Sequence, residues 1–297
     1  MKLIRFKGPD GIKTGVIIDE IKYDTSGFCT DYDDRFFKDN GIERLRNHIK
    51  MNITDLKRIE TDMVLDAPIA RPSKIICIGL NYADHAKEAK MQTPAEPIIF
   101  LKSTSAWSGP NDCIMIPRGS KKTDWEVELA VVIGQKASYV AEEDVMGYVD
   151  GYLLVNDVSE REYQLERGGT WDKGKGCDTF LPAGPFFVTK DEIQDINNLD
   201  IWLKVNGKTM QNGSTGNLIF KLPYLISYIS EFMTLLPGDV ICTGTPAGVG
   251  MGFSPQIYLK PGDIVELGID GLGSSKQEVI AFNKKDSFPK NTEQYEK

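Results

Sequence analysis

From residue 74 to about residue 282 the chain is broken into short Val- and Ile-rich runs, each closed by Gly, Pro or Asp. They fall at 74–79, 98–102, 126–133, 149–157, 186–189, 201–205, 239–243 and 264–269. Runs of this length and composition read as strands. The Asn206-Gly207 pair between two apolar runs predicts a hairpin. Pro237-Gly238-Asp239 and Pro261-Gly262-Asp263 each introduce a further strand. Helical candidates are few: 82–90, 142–145 and 222–235. The last places Leu222, Leu225, Ile226, Ile229 and Phe232 at the spacing of one buried face. The expected fold is therefore α+β and β-dominated, and an alternating βαβ array is excluded.

The first 66 residues read as a small α+β domain. Segments 2–6 and 14–18 look like a hairpin around 8–11, and 36–49 like a helix. Residues 67–73, with Pro68 and Pro72, form a linker. A large domain over 74–282 and a polar tail over 283–297 complete the expected organisation. The 297 residues suffice for a sizeable core. With 41% hydrophobic and 26% charged residues, disordered and collagen-like architectures are excluded. Lys plus Arg total 35 against 43 Asp plus Glu, a formal charge of −8. Such a chain has no general attraction for phosphate backbones or anionic lipid, so neither nucleic acid nor membrane is an expected partner. The N-terminal apolar run breaks at Arg5, too soon for a secretion signal, and no apolar stretch reaches membrane-spanning length. The five cysteines are widely spaced and contain no CxxC pair, which reads as free thiols in a reducing cytoplasm.

Four segments carry chemistry. In Asp124-Trp-Glu126-Val-Glu128, period-two alternation puts Glu126 and Glu128 on one strand face. Asp157 ends the next apolar run. Three carboxylates without nearby His or Cys suit a hard cation, Mg²⁺ or Mn²⁺, with Ca²⁺ also admitted; a solvated strand face has the same spacing. His85 and Glu88 share a helix face, the arrangement that orients an imidazole for activating water, or a chance pair on a surface helix. Gly169-x4-Gly174-Lys175 approaches a phosphate-binding loop, but Gly176 replaces the required Ser or Thr and no strand precedes it. It reads instead as a tight turn placing Lys175, or as a solvated lysine. Finally, the glycines of 243–252 follow a strand without opening a helix, so they offer backbone N–H groups and the Thr245 hydroxyl, or simply a multi-glycine turn.

Taken in order, these segments resemble the fumarylacetoacetate hydrolase family: G-L-N-Y-x-x-H-x-x-E at 79–88, E-x-E at 126–128, Asp157 after an apolar strand, K-G-C-D-T-F at 175–180, and T-G-T-P-x-G-V-G at 243–250. The resemblance covers roughly 72–282. It implies a β-sandwich roll of mixed sheets preceded by a small N-terminal domain. It implies that Glu126, Glu128 and Asp157 hold Mg²⁺ or Mn²⁺, that His85 and Glu88 form a dyad on a lid segment, and that Lys175 sits near the reacting carbonyl. Thr245 would belong to the loop gripping the substrate carboxylate. A homodimer is the assembly it implies, and a small anionic 2-oxo acid the substrate. The reactions it implies are C–C hydrolysis of a 2,4-dioxo acid, oxaloacetate decarboxylation, or isomerisation of a dioxo acid. Segment 157–178, with Arg161 and Gln164 as candidate substrate contacts, is similar to the branch acting on 2,4-dioxo-3-deoxy sugar acids. A metal-binding module without catalysis is the remaining alternative.

Overall fold

The computed structural model describes residues 1–60, 62–88 and 92–283. Its frame is a 10-stranded sheet. From one edge the strands run Ile21–Asp24, Gly11–Ile18, Lys2–Gly8, Phe187–Thr189, Val149–Asn156, Val127–Ile133, Val240–Cys242, Ile75–Gly79 and Ile98–Lys102, with Leu65–Asp66 also paired to Lys2–Gly8. Neighbours are antiparallel except Val240–Cys242 and Ile75–Gly79, which run parallel. Val127–Ile133 is buried at every position, which is why it reads as an apolar run on both faces rather than as an alternating one.

A second, five-stranded sheet orders Lys208–Ser214, Asp200–Val205, Ile264–Ile269, Gly273–Ile280 and Ile114–Met115. As the Asn-Gly pair predicts, Val205 faces Lys208 across a two-residue turn, with φ +51° at Asn206 and +76° at Gly207. The two sheets meet where Val127–Ile133 and Val149–Asn156 pack on Ile264–Ile269. The core fills this space with fully buried residues such as Leu129, Val131, Leu203, Val265 and Leu267. Helix Leu222–Phe232 buries Leu225, Ile226 and Ile229 and packs on the short 3₁₀ turn Glu142–Gly147.

The N-terminal hairpin joins the large sheet directly, with Lys2 opposite Val188 and Leu3 opposite Phe187. Buried Arg5 ties the 66–70 crossing down, donating to the Ala67 and Ile69 carbonyls and to Asp31. The helix expected over 36–49 is two helices, Asp34–Lys38 and Gly41–Asn52. Asn40 breaks it with φ +54°, and Gly41 follows because a Cβ there would fall 2.4 Å from the Phe36 ring. The helix expected over 82–90 is Ala83–Glu88, its last two expected residues lying outside the described ones. The polar tail lies outside them too, apart from Asn283.

Candidate metal centre and active site

The carboxylates are assembled by strand register. Glu128 lies on the central Val127–Ile133 strand, and Glu126 just precedes it. Val127 pairs with Asn156, so Asp157 comes alongside Glu126, and its backbone N–H donates to the Glu126 carbonyl at 2.8 Å. Each of Glu126, Glu128 and Asp157 offers an oxygen lying within 4.8 Å of the others, and all three are buried.

Cations surround them. Lys175 Nζ donates to Glu126 Oε2 at 2.7 Å and Asp157 Oδ2 at 2.9 Å. Lys102 Nζ donates to Asp157 Oδ1 at 2.6 Å and the Val158 carbonyl at 3.0 Å. Arg161 places Nη2 2.7 Å from Glu126 Oε1 and donates Nε to Asp124 Oδ2 at 2.8 Å. Burial works against charge on Glu126, but Lys175 and Arg161 outweigh it and hold its carboxyl down at about 2. Burial likewise opposes the Lys175 ammonium, and Asp157 and Glu126 overcome it, holding the amine above its ordinary range. Glu128 differs. It accepts a hydrogen bond from the Gly244 N–H at 2.9 Å, with no cation bonded to it among the described residues. Burial, reinforced by Asp157, pushes its carboxyl well up. Asp124, Glu126, Glu128 and Asp157 thus face Lys102, Arg161 and Lys175, leaving one carboxylate uncompensated. Clustered oxygens with one surplus negative charge and no sulfur or imidazole among the three donors fit a hard divalent cation.

The dyad stands beside this floor. His85 Nδ1 lies 3.3 Å from Glu88 Oε2, and both Glu88 oxygens accept from the Gly248 N–H at 3.0 and 3.1 Å. The glycine loop is shaped to this carboxylate, since a Cβ on Gly252 would fall 2.5 Å from the Glu88 carboxyl carbon. With Nδ1 protonated toward Glu88, Nε2 is the free acceptor.

A cleft opens over these groups. His85, Glu126, Glu128, Arg161, Gln164, Lys175 and Thr245 line it; Glu88 and Asp157 reach it through their contacts with His85 and Lys175. The 168–176 segment ends in a single helical turn, Asp172–Lys175, and buries Lys175 to 2% exposure, which removes the solvated-lysine alternative. The Thr245 hydroxyl donates to the Val127 carbonyl and accepts from Gln211 Nε2, both at 2.8 Å. Arg161 is held between Asp124, Glu126 and Gln164. Sequence reasoning missed Lys102, whose only signal is a charge ending an apolar run. It also missed Asp124, which binds Arg161 and accepts from the Gly250 and Met251 N–H groups, and Phe100 and Trp171 on the cleft wall.

Fold and site together define a β-rich class whose candidate metal centre is a buried carboxylate cluster. The family model for the fumarylacetoacetate (FAA) hydrolase C-terminal region matches residues 74–280, and the chain belongs to that family. It is 51% identical over 279 residues to a chain of Burkholderia multivorans, provisionally named a hydrolase, covering 93% of this chain and 98% of the relative. Among solved structures it is similar to a fumarylacetoacetate hydrolase from psychrophilic Exiguobacterium antarcticum (TM-score 0.83, 33% identity, 95% and 100% of the two chains). It is similar also to maleylpyruvate hydrolase from Sphingobium sp. SYK-6 in complex with manganese(II) and pyruvate (0.79, 32%, 95% and 100%). A 2-hydroxyhepta-2,4-diene-1,7-dioate isomerase from Mycobacterium marinum is a further likeness (0.75, 32%, 96% and 100%). Among the described residues no helix is long and apolar enough to cross a membrane.

Proposed function

We propose that this chain is a divalent-metal-dependent hydrolase that cleaves the C3–C4 bond of a small 2,4-dioxo acid, giving pyruvate and a carboxylic acid. The observation that carries the reading is one cleft joining the Glu126–Glu128–Asp157 cluster, the His85–Glu88 pair and buried Lys175. Mg²⁺ or Mn²⁺ held by the three carboxylates would supply Lewis acidity at the 2-oxo acid end of the substrate.

The chain's own groups do the rest. Glu88, fixed by the Gly248 N–H, holds the His85 tautomer, and Nε2 takes a proton from water. The resulting hydroxide adds to the C4 carbonyl. As the C3–C4 bond breaks, its electron pair passes to the pyruvate fragment with the Lys175 ammonium facing the developing negative charge, and C3 then takes up a proton while the His85 imidazolium gives up its own. Arg161, Gln164 and the Thr245 loop orient the acid end. The solved relative that holds manganese(II) and pyruvate supports this reading, pyruvate being the product proposed. Among the described residues no cysteine is in a disulfide, which supports a reducing, cytoplasmic location, and a homodimer is the assembly proposed.

The likeness to a dioate isomerase favours a second reading, in which the same floor stabilises an enolate without an attacking water. Decarboxylation of oxaloacetate is the other reaction of that kind. The test is a panel of 2,4-dioxo acids with Mn²⁺ or Mg²⁺, followed by loss of enol absorbance and by pyruvate formation, with oxaloacetate included. Pyruvate from an acylpyruvate supports hydrolysis. Pyruvate from oxaloacetate alone, retained by His85→Ala, assigns decarboxylation instead.

A further inference from the structure

The proposed reaction fixes the acid end of the substrate and leaves the group beyond C4 undetermined. Two unlike sets of side chains line the cleft. Glu126, Glu128, Arg161 and Lys175 form the charged one. Ile78, Leu80, Phe100, Leu165, Trp171 and Met251 form the other.

The apolar set is held in place by specific contacts. Trp171 meets Phe100 edge-on, with ring centroids 5.4 Å apart at 62°. The indole lies against the end of a strand only because residue 79 is glycine: a Cβ there would fall 2.4 Å from Trp171 Cζ3. Leu80 is held at φ +53°, a left-handed conformation costly for a branched side chain. Asn81 fixes it, donating to the Phe220 and Thr243 carbonyls at 3.1 and 2.8 Å and accepting from the Phe220 N–H at 2.8 Å. Leu165, 48% exposed, carries the same surface outward. Gln164 accepts from Arg161 Nη1 at 3.0 Å, which ties its amide oxygen to the charged side. Laid against the apolar side chains, a hydroxylated chain would lose water and gain no hydrogen bond from them.

Resting on the reaction proposed above, we infer that the group beyond C4 is an apolar acyl chain, aliphatic or aromatic, and not the polyhydroxylated chain of a sugar acid. The test separates binding from turnover. The full chain, loaded with Mn²⁺, is titrated calorimetrically with 2-oxohexanoate and with a 2-oxo-3-deoxyhexonate. The apolar acid is expected to bind about tenfold or more tightly, the scale of discrimination an apolar pocket achieves. Leu165→Gln, a change at an exposed position that spares the core, is expected to narrow that ratio, and Trp171→Ala to narrow it further. Equal or tighter binding of the hydroxylated acid, binding of neither, or an unchanged ratio in both variants overturns the inference. Selective binding of the apolar acid, with no 2,4-dioxo acid cleaved, sustains the inference and removes the reaction assignment.

Discussion

Lys175 tests the charge arrangement most directly. Its Nζ contacts Glu126 at 2.7 Å and Asp157 at 2.9 Å, and its side chain is 2% exposed. Lys175→Met keeps the side chain's bulk and deletes its charge. Asp157 keeps Lys102 and Glu126 keeps Arg161, but each loses a buried partner, and one uncompensated negative charge in the floor becomes two. Removing one partner of a buried ion pair costs about 3–5 kcal/mol, because the other charge stays desolvated. For a chain of this size that lowers the melting temperature by roughly 5–8 °C. A cation that binds only the native state returns stability as the logarithm of its concentration over Kd, and the extra negative charge favours it. Thermal unfolding followed by circular dichroism, first with chelator and then with excess Mn²⁺, should show a destabilised variant with a larger metal-dependent gain than the native chain. A variant within about 1 kcal/mol of native in chelator, the worth of a solvated surface pair, would refute the claim that Lys175 compensates buried charge. So would an equal or smaller gain from the metal.

Three further outcomes follow from named groups. His85→Ala should lower hydrolysis by about 10²–10⁴-fold, the usual loss for a positioned base, while oxalate still binds in the presence of metal; near-native hydrolysis would remove His85 from that role. Glu128→Ala should abolish Mn²⁺ binding by calorimetry, and full occupancy would show that the other two carboxylates suffice. Asp150, half-buried against Gly134, has its carboxyl pushed up to about 6 by burial, with Lys190 offsetting only part of the effect. A raised folded-state value means that the burial cost is absent below about pH 3.8 and is incurred as pH rises through about 6. Asp150→Asn should therefore gain about 1–2 kcal/mol on the native chain between pH 5 and pH 8, allowing for partial exposure; a difference independent of pH would contradict the assignment.

The carboxylates were legible in the sequence because their signal is local. Glu126 and Glu128 are two apart, and Asp157 closes an apolar run. The charges that balance them were not. Lys102, whose strand lies three away from Val127–Ile133, pairs in register with Ile75, and its ammonium meets Asp157 only once the sheet has formed. In sequence it is one charge after Ile-Ile-Phe-Leu. Asp124 looked like part of the carboxylate motif, yet its role is to hold Arg161 and the Gly250–Met251 backbone. The break between the two N-terminal helices was legible in Asp39-Asn40-Gly41, a turn signal outweighed by the apolar spacing on either side. The pairing of Lys2–Gly8 with Phe187–Thr189 had no local signal, since the partners are more than 180 residues apart and each reads as an ordinary strand.

What gathers the motifs is the one parallel pairing in the large sheet. Ile75–Gly79 and Val240–Cys242 run the same way, with Cys77 beside Cys242, so the segments that follow them emerge at one end. One carries His85 and Glu88, the other Thr245 and Gly248, and Asn81 stitches them together through the Thr243 carbonyl at 2.8 Å. Val127–Ile133 runs antiparallel to Val240–Cys242, which brings its beginning, and so Glu126 and Glu128, to that same end. Val149–Asn156 runs antiparallel in turn, which brings its finish, and so Asp157, there too. Had Ile75–Gly79 paired antiparallel, the His85 segment would leave from the opposite end of the sheet, a strand's length from the carboxylates. A site whose parts are scattered from residue 79 to residue 252 therefore depends on strand direction as much as on residue identity, and the ordered recurrence of the motifs along the chain reflects that constraint.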